Sequence, residues 1–227
     1  MKEYRELLNN VDVFFGLNEK ERDLLLDGVE ERDFRKKDFV CSAGSAADHM
    51  HVITRGAVKT MRGDNGGPRL LVDFVKEGEI LGEEGVLLSG DYEMDACPFD
   101  HCSVLAIPVD NVARIMDGQP RLARALASLS ATRARNYRDR LYQMNAIPVP
   151  VRLCGALQML GKRFGKRDRQ GTMIALKVTH QDLADYVGAA RETVTLFLSR
   201  FKKEGIITMN VRRIIIPDMK ALKKYTC

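Results

Sequence analysis

The sequence predicts an α+β protein with an N-terminal antiparallel β-roll, a long central helix and a C-terminal winged helix-turn-helix. Three observations support this prediction. Short apolar runs separated by Gly and Asp fill residues 34–107, whereas residues 121–145 contain no strong helix breaker. Residues 179–201 read as two short helices joined by a glycine turn. We expect three domains, at residues 1–118, 119–146 and 147–227.

The amino-acid composition limits the classes of protein to which this chain can belong. The 227 residues are 45% apolar and 30% charged, enough for one large or two modest folded cores. No apolar run approaches the roughly 20 residues of a membrane span, and the N-terminus MKEYRELLNN is too charged for a secretory signal. We therefore expect a cytoplasmic protein without a membrane partner. The cysteines are odd in number and scattered, which predicts reduced thiols: Cys41, Cys97, Cys102, Cys154 and Cys227.

The net charge of +5 conceals a strong asymmetry along the chain. Residues 1–118 hold 14 Lys and Arg against 24 Asp and Glu, a net charge of −10. Residues 119–227 hold 22 against 7, a net charge of +15. Because the basic half contains the predicted helix-turn-helix, the asymmetry favours a partner that is a polyanion.

The N-terminal elements are predicted from caps, apolar runs and turns. Residues 3–9 and 18–31 are expected to form short helices around an apolar plug at 11–17, with Asn18 as the N-cap of the second. The runs between 34 and 107 are typical of an antiparallel barrel or roll, also called a jelly roll. Residues 64–67, Asp-Asn-Gly-Gly, give the clearest hairpin turn.

The central segment is predicted to be one long helix after a short helix at 109–116. At about 1.5 Å per residue, residues 121–145 would span nearly 40 Å. One seam steps by three and four residues, and its second half is polar. This seam fits either a coiled coil or a helix that covers its own β-roll. It comprises Leu122, Leu126, Leu129, Arg133, Asn136 or Tyr137, Arg140 and Met144.

Two prolines in residues 147–150 predict a hinge, since proline disfavours helix in the residue before it. We expect a helix at 151–164, an exposed basic loop at 161–171 and a strand at 172–178. Two further strands, at 205–209 and 213–216, would form the hairpin of the wing.

The helix-turn-helix has signals at both helix ends. Thr179 begins a T-x-x-D capping box with Asp182, and Gly188 occupies the turn, where the chain needs a left-handed residue. Apolar or small residues fall where two crossing helices interlock: Leu183, Ala184, Val187, Val194 and Phe197.

The second helix of this pair, from Arg191 to about Lys203, opens with polar side chains that could meet base edges or phosphates. Arginine pairs with guanine through two hydrogen bonds, and a carboxylate accepts from cytosine. The pattern is that of a recognition helix. The residues concerned are Arg191, Glu192, Thr193 and Thr195.

These motifs resemble those of a known family. The string FFGLNEKERDLLLDGVEERDF, then Gly44, HVITRGAVK and VKEGEILGEEGVLL, is similar to the cyclic-nucleotide-binding-like β-roll of the Crp/Fnr superfamily of bacterial transcription regulators. Residues 191–194, Arg-Glu-Thr-Val, resemble its recognition segment. The resemblance runs from about Val13 to Pro217 and implies that residues 119–146 form a dimerisation helix in a homodimer.

The resemblance also implies how double-stranded DNA would be bound. Arg191 and Glu192 would contact bases, whereas other side chains would contact phosphates and fix the register. The expected phosphate contacts are Thr193, Thr179, Gln181, Arg200, Arg212 and Arg213, with Thr195 also on the DNA-facing side.

Two departures from the family pattern alter the expected DNA sequence. Leu196 stands where many members have an arginine that contacts guanine, and Ala190 replaces the usual hydroxyl residue before the Arg-Glu pair. We therefore expect a two-fold symmetric site with half-sites about one helical turn apart, but a sequence other than the usual family consensus.

The resemblance identifies candidates for effector binding. Cyclic-nucleotide binders need a Gly-Glu turn, an Arg-Ser pair for the phosphate and small hydroxyl residues on the dimer helix. Only the first is present, at Gly82 and Glu83, because residues 91–95 are acidic and the helix positions hold Tyr137 and Arg138. We expect that cyclic AMP is not the effector and that Glu83, Tyr137 and Arg138 are candidate effector contacts.

Metal and redox sensing remain alternatives. No tight N-terminal cysteine cluster of an iron–sulfur protein is present, and residues 82–84 lack the Cys and His of a carbon-monoxide-sensing haem protein. The remaining candidates for haem, metal or thiol chemistry are His49, His51, Cys97, His101 and Cys102, with Cys97 and Cys102 expected to flank a hairpin tip. Arginines of the central helix could instead receive a small anionic ligand.

The sequence thus predicts an effector-gated transcription regulator that is not an enzyme and that contacts RNA polymerase if it activates. No nucleophile–base pair or phosphate loop is present. The alternative is a cyclic-nucleotide-like regulatory subunit that acts through protein interaction.

Overall fold

A computed structural model describes residues 2–63, 69–210 and 213–222. The chain forms two compact units, one of residues 1–62 and 73–136 and the other of residues 63–72 and 137–227. The division falls within the long helix. The boundaries expected at 118 and 146 stay a prediction.

The first unit combines short helices with two small sheets. Its helices are α1 (Lys2–Leu8), α2 (Glu19–Leu26), α3 (Glu83–Leu87) and α4 (Val109–Gly118), and a 3-10 turn spans Asp12–Phe14. Its strands are β1 (Glu30–Phe34), β2 (His49–Arg55), β3 (Ala57–Arg62), β4 (Leu70–Lys76, of which only 73–76 belong to this unit), β5 (Ile80–Leu81), β6 (Asp95–Pro98) and β7 (Cys102–Pro108).

The strands form the predicted antiparallel roll. One sheet has the order β1-β7-β2-β5 and the other β4-β3-β6, with antiparallel registers such as His51 opposite Ala106 and Val58 opposite Pro98. Alternate residues of β2 enter different clusters, because successive side chains point to opposite faces of a sheet. Met50 and Val52 pack with the helices, whereas Ile53 packs inside the roll.

Local expectations in this unit need three corrections. The helix predicted over 18–31 ends at Leu26 because β1 begins at Glu30 and pairs with β7. Asn18 does cap it, through a full capping box with Glu21. The run after residue 82 contains the helix α3 rather than only strand. Residues 38–46 contribute isolated bridges at Cys41 and Ala46 rather than a strand, and the hairpin turn predicted at 64–67 lies outside the described residues.

The predicted long helix is confirmed as α5, Pro120–Ala146. The seam chosen from periodicity faces its own chain along much of its length. Leu122 and Leu126 are fully buried in the first unit, with Leu129 packed against the same cluster. The guanidinium of Arg133 bonds to Glu83 of α3 and donates to the carbonyl of Ile80. Of the two interpretations left open, coverage of its own β-roll is therefore the one that the structure supports for these residues.

Besides the end of α5, the described residues of the second unit form three helices and a four-stranded sheet. The helices are α6 (Val149–Phe164), α7 (His180–Val187) and α8 (Arg191–Lys203). The strands are β8 (Gly165–Asp168), β9 (Gly171–Ile174), β10 (Thr208–Asn210) and β11 (Arg213–Ile216). The sheet order β10-β11-β9-β8 confirms the winged helix-turn-helix.

Four expectations for this unit are wrong in detail. The first wing strand, predicted over 205–209, spans Thr208–Asn210 instead. The basic segment 161–171 is not a loop, because α6 continues to Phe164 and β8 follows at once, paired with β9 from Gly165 opposite Ile174 to Asp168 opposite Gly171. The strand predicted over 172–178 ends at Ile174. The expected hinge at 147–150 is shorter, because Pro150 lies in the first turn of α6, where its missing N–H has no helical acceptor.

Within the part of the chain that the structure describes, no helix is long and apolar enough to cross a bilayer.

Candidate nucleic-acid interface and effector-domain interior

Helix α7 begins and ends at the two predicted signals, and the second of them forms the turn to α8. The Thr179 hydroxyl accepts a hydrogen bond from the backbone N–H of Asp182 at 3.0 Å, and the Asp182 carboxylate accepts from the backbone N–H of Thr179 at 2.8 Å. Gly188 has φ 63° and ψ 55°, the left-handed conformation that ends α7. Both signals are local in sequence, which explains why they were predictable.

Helix α8 presents one apolar and one polar face. Val194, Leu198 and Phe201 are buried, whereas Arg191 and Glu192 are exposed at the first turn. Ala190 makes no side-chain cap, as expected. The predicted base-contacting residues therefore lie where a major groove could reach them, with Thr193 half-buried beside them.

A histidine at the start of α7 contacts a threonine in the second turn of α8. The Nδ1 atom of His180, the first residue of α7, lies 2.9 Å from the hydroxyl oxygen of Thr195 on α8. Thr195 is half-buried. The contact fixes the Thr195 hydroxyl between the helices, so its DNA-facing role stays a prediction.

The predicted phosphate contacts are placed at several positions around the helix pair. Gln181 is exposed and donates through its amide to Asp185 at 2.6 Å, while Arg200 is exposed and donates through Nε to Glu204 at 2.7 Å. Thr179 is exposed, but its hydroxyl is engaged in the capping box. Arg213 begins β11 and is half-buried, and Arg212 lies outside the described residues.

A half-buried arginine connects the end of α5 to the turn of the helix pair. Arg152 of α6 donates to the carbonyl oxygens of Met144 at 2.6 Å and Ile147 at 3.0 Å, and to that of Gly188 at 3.1 Å. Burial lowers the pKa of Arg152. Because α5 ends at Ala146, these bonds satisfy carbonyls that lack a helical partner.

In the first unit, the candidate effector residue Glu83 is already paired. Its side chain is only 7% exposed, and Oε1 accepts from the Arg133 guanidinium. Oε2 is buried and has no hydrogen-bond partner within the described part of the chain. The Arg133 guanidinium of α5 is thus paired with the carboxylate that, by the resemblance, would bind a ribose hydroxyl.

The acidic segment 91–95 places a tyrosine inside the roll. Tyr92 is buried, its hydroxyl donates to the carbonyl oxygen of His49 at 2.5 Å, and its ring lies 3.1 Å from the position a Gly82 Cβ would take. Glu93 pairs with Arg62 at 2.9 Å, and Asp95 accepts from the Ala43 N–H at 3.0 Å. No basic side chain lies in this segment.

His49 and His51 share one face of β2, as predicted, with ring centroids 6.3 Å apart. His51 is buried, and its Nε2 lies 3.1 Å from the Tyr92 hydroxyl oxygen. Since that hydroxyl donates to the His49 carbonyl, His51 must donate through Nε2–H, which leaves Nδ1 unprotonated and without a partner in the described residues. Burial lowers the pKa of His51 to about 4.

Both units match models of known domains. Residues 31–119 match the cyclic nucleotide-binding domain, and residues 151–225 match the Crp-like helix-turn-helix domain. The two matches lie in the order that the sequence motifs predicted. The chain belongs to the Crp/Fnr superfamily of bacterial transcription regulators.

Relatives of this Crp/Fnr regulator extend over most of the chain. It is 24% identical over 209 residues to the anaerobic regulatory protein of Pasteurella multocida, covering 92% of this chain and 76% of the relative. It is 24% identical over 219 residues to the CRP-like cAMP-activated global transcriptional regulator of Mycobacterium tuberculosis, covering 96% and 98%. The structure of FixK2 from Bradyrhizobium japonicum has a TM-score of 0.79 at 21% identity, covering 88% and 98%.

The family consists of transcription regulators rather than enzymes, and DNA binding is the role of its helix-turn-helix. In this Crp/Fnr member, Ser199 is exposed on α8 beside the predicted DNA contacts and carries no motif signal of its own. The β8–β9 hairpin exposes further basic residues that were not among the predicted DNA contacts. These are Lys166, Arg167 and Arg169.

The remaining sensor candidates do not form one cluster. Cys97 pairs in β6 with Lys59 of β3, whereas Cys102 pairs in β7 with Phe34 of β1. The expectation that they flank a hairpin tip is therefore wrong, because their strands belong to different sheets. Burial raises the pKa of the Cys102 thiol to about 12, and the thiolate that redox chemistry needs is disfavoured. His101 is exposed between the strands.

The other effector candidates lie on α5. Tyr137 is half-buried and Arg138 is exposed. Among residues 2–63, 69–210 and 213–222, no group of three or more His, Cys, Asp and Glu side chains could hold a metal ion.

Proposed function

We propose that this regulator acts as a homodimer on a two-fold symmetric double-stranded DNA operator and that a small effector other than a cyclic nucleotide gates its binding. The observation that carries the proposal is the first turn of α8. Arg191 and Glu192 are exposed there, while Val194 and Leu198 are buried in the unit that supports them. Half-sites would be about one helical turn apart.

One face of α5 supports the homodimer. Small residues recur every three or four positions and are exposed in the single chain, at Ala127, Ala131 and Ala134, with Leu141 seven residues further and 61% exposed. Small side chains allow two helices to approach closely, and the seven-residue spacing is that of a coiled coil. This face is distinct from the seam that covers the first unit.

The interior of the roll supports an effector that is not a cyclic nucleotide. Arg133 forms an ion pair with Glu83, which is the expected ribose contact. The segment expected to bind a phosphate contains Tyr92 and acidic side chains and has no Lys or Arg. A cyclic phosphate placed there would meet the buried Tyr92 ring and the acidic side chains at the edge of the roll, with no basic side chain from this segment to neutralise it. A ligand that competes for Glu83 would release Arg133, and with it a contact between α3 and α5. Haem, a thiol redox change and a small anionic ligand are the effector classes to be distinguished.

Selection of bound DNA from a random duplex library with the full-length protein tests the operator. We expect an inverted repeat, and we expect Arg191→Ala to lower affinity by about tenfold or more and to relax one position of each half-site. A Lys166→Ala control on the β8–β9 hairpin should weaken binding to all sequences similarly. Weak binding that is independent of sequence, with and without added cell extract metabolites, would contradict the proposal.

Absorbance and intact mass of the freshly purified protein test the effector class. A Soret band indicates haem, a metal is detected by elemental analysis, and an added organic mass indicates a ligand. Bound cyclic nucleotide in stoichiometric amount would contradict the exclusion argued from Tyr92 and residues 91–95.

The same proposal places the protein in the cytoplasm without enzymatic activity and makes RNA polymerase its partner if it activates transcription.

The alternative, a regulatory subunit that acts through protein interaction, has no need of an exposed Arg191 or of the β10–β11 wing. Retention of full regulatory activity in vivo by an Arg191→Ala, Glu192→Ala double variant would favour that alternative.

A further inference from the structure

The polar face of α8 carries one large apolar side chain. Leu196 is 66% exposed, although Val194 and Leu198 on either side of it are buried. On a helix, residues four apart are neighbours on one face. Leu196 therefore lies one turn from Glu192 and one turn from Arg200, in the middle of the face that opens with the candidate base contacts.

The side chains beside Leu196 are engaged by other parts of the same unit. The Thr195 hydroxyl lies 2.9 Å from His180 Nδ1, and Arg200 Nε donates to Glu204 at 2.7 Å. The Ser199 hydroxyl donates to the carbonyl oxygen of Thr195 at 2.9 Å. Leu196 is thus the side chain that projects at this level of the helix.

The major groove offers one apolar group, the C5-methyl of thymine. A leucine side chain cannot donate to guanine O6 and N7, and contact with the N4 amino group of cytosine would desolvate that donor without a replacement hydrogen bond. Contact with a thymine methyl instead removes apolar surface of both partners from water.

We propose that Leu196 reads the C5-methyl group of one thymine in each half-site. This inference rests on the proposed function, since it requires α8 to enter the major groove. It makes Leu196 a specificity-determining residue and assigns a T·A pair to the base step that faces the second turn of α8.

Replacement of thymine by deoxyuridine in the selected operator tests the proposal, because it removes the methyl group and leaves base pairing intact. We expect one symmetry-related pair of thymines at which the replacement weakens binding by about fourfold per half-site, the value for one methyl-sized apolar group. The Leu196→Ala variant should bind the thymine operator more weakly by a similar factor and should no longer distinguish thymine from deoxyuridine at that pair.

Two variants separate the reading of a methyl group from a general loss of structure. Ser199→Ala, on the same face, should keep the distinction between thymine and deoxyuridine. Leu196→Arg should change the preferred base pair at that position to one containing guanine, because arginine forms two hydrogen bonds with guanine. Affinity for a random duplex should not fall in Leu196→Ala.

The outcomes distinguish this inference from the proposed function. If the protein selects an operator but no deoxyuridine replacement weakens binding, or if Leu196→Ala still distinguishes the two bases, the role of Leu196 is wrong and the operator binding stands. If the full-length protein selects no sequence, both are overturned.

Discussion

The ion pair between Arg133 and Glu83 is enclosed by the first unit, with side-chain exposures of 18% and 7%. Removal of one partner from such a pair leaves the other charge buried and unpaired, which is destabilising by about 3 kcal/mol or more. We expect Arg133→Met to lower the free energy of unfolding by that amount. Chemical denaturation of the full-length protein measures it.

The matched control for that pair is the double variant Arg133→Met, Glu83→Gln. Because the buried carboxylate is then gone, the double variant should be more stable than Arg133→Met alone. If the changes in the free energy of unfolding of Arg133→Met and Glu83→Gln add up to that of the double variant, the two side chains are not coupled. The ion pair then has no stabilising role in the interior.

His51 gives the first unit a defined acid sensitivity. Burial is the largest cause of its lowered pKa, about 4 against an ordinary 6.5, and the nearby charges of His49 and Arg32 add to it. The unfolded state therefore takes up a proton before the folded state as pH falls below 6.5. This contribution to the free energy of unfolding is complete above pH 6.5 and falls by about 3 kcal/mol by pH 4.

The variant His51→Gln tests the sign and size of this effect. Urea unfolding of both proteins at pH 7 and pH 4 should show a smaller acid loss in His51→Gln, by about 3 kcal/mol. Equal losses in the two proteins would mean that His51 is not neutral and buried in the folded state.

At the scale of elements, the turn of the helix pair depends on one glycine. Gly188 has φ 63°, and an added Cβ would lie 3.2 Å from the Met144 side chain. The left-handed conformation is unfavourable for other residues by about 1–2 kcal/mol. We expect Gly188→Ala to lower the free energy of unfolding by that amount.

Gly155 is the matched control, because it lies inside α6 and an added Cβ there would have no atom of another described element within 4 Å. Alanine there should raise stability by up to about 1 kcal/mol, the usual preference for alanine over glycine in a helix interior. Thermal or denaturant unfolding should therefore give effects of opposite sign. The same sign for both substitutions would contradict the assigned turn.

These elements also show which structural features could be predicted from the sequence and which could not. Gly188 and the Thr179 capping box were predictable because their signals lie within four residues of the helix end they define. Strand β8 was not, since Gly-Lys-Arg-Asp has no alternation of apolar residues and its extended form depends on pairing with β9. The contact of Tyr92 with His51 joins residues 41 apart, and no local pattern predicts it.

The α5 seam shows the same limit. The steps at Leu122, Leu126 and Leu129 correctly identify an apolar face. However, a helix that covers its own sheet and a helix that pairs with a twin need the same spacing. The two kinds of helix are told apart only by contacts between residues far apart in sequence, such as that of Arg133 with Glu83.

At the scale of the whole molecule, the homodimer proposal predicts a specific failure of DNA binding. Ala134 is exposed on the proposed dimer face of α5. A glutamate there would bring two like charges close to each other in the dimer and prevent the close approach of the two helices. We expect Ala134→Glu to shift the protein towards a monomer in analytical ultracentrifugation.

The same variant should bind a complete operator no more tightly than a single half-site, since the second half-site contributes only when both recognition helices are held together. Thr132→Glu is the matched control, because Thr132 is exposed on α5 but is rotated by about 160° from Ala134 at 100° per residue. It should keep the parent's oligomeric state and operator affinity. If the dimer persists in Ala134→Glu but dissociates in Thr132→Glu, the interface lies on the opposite side of α5.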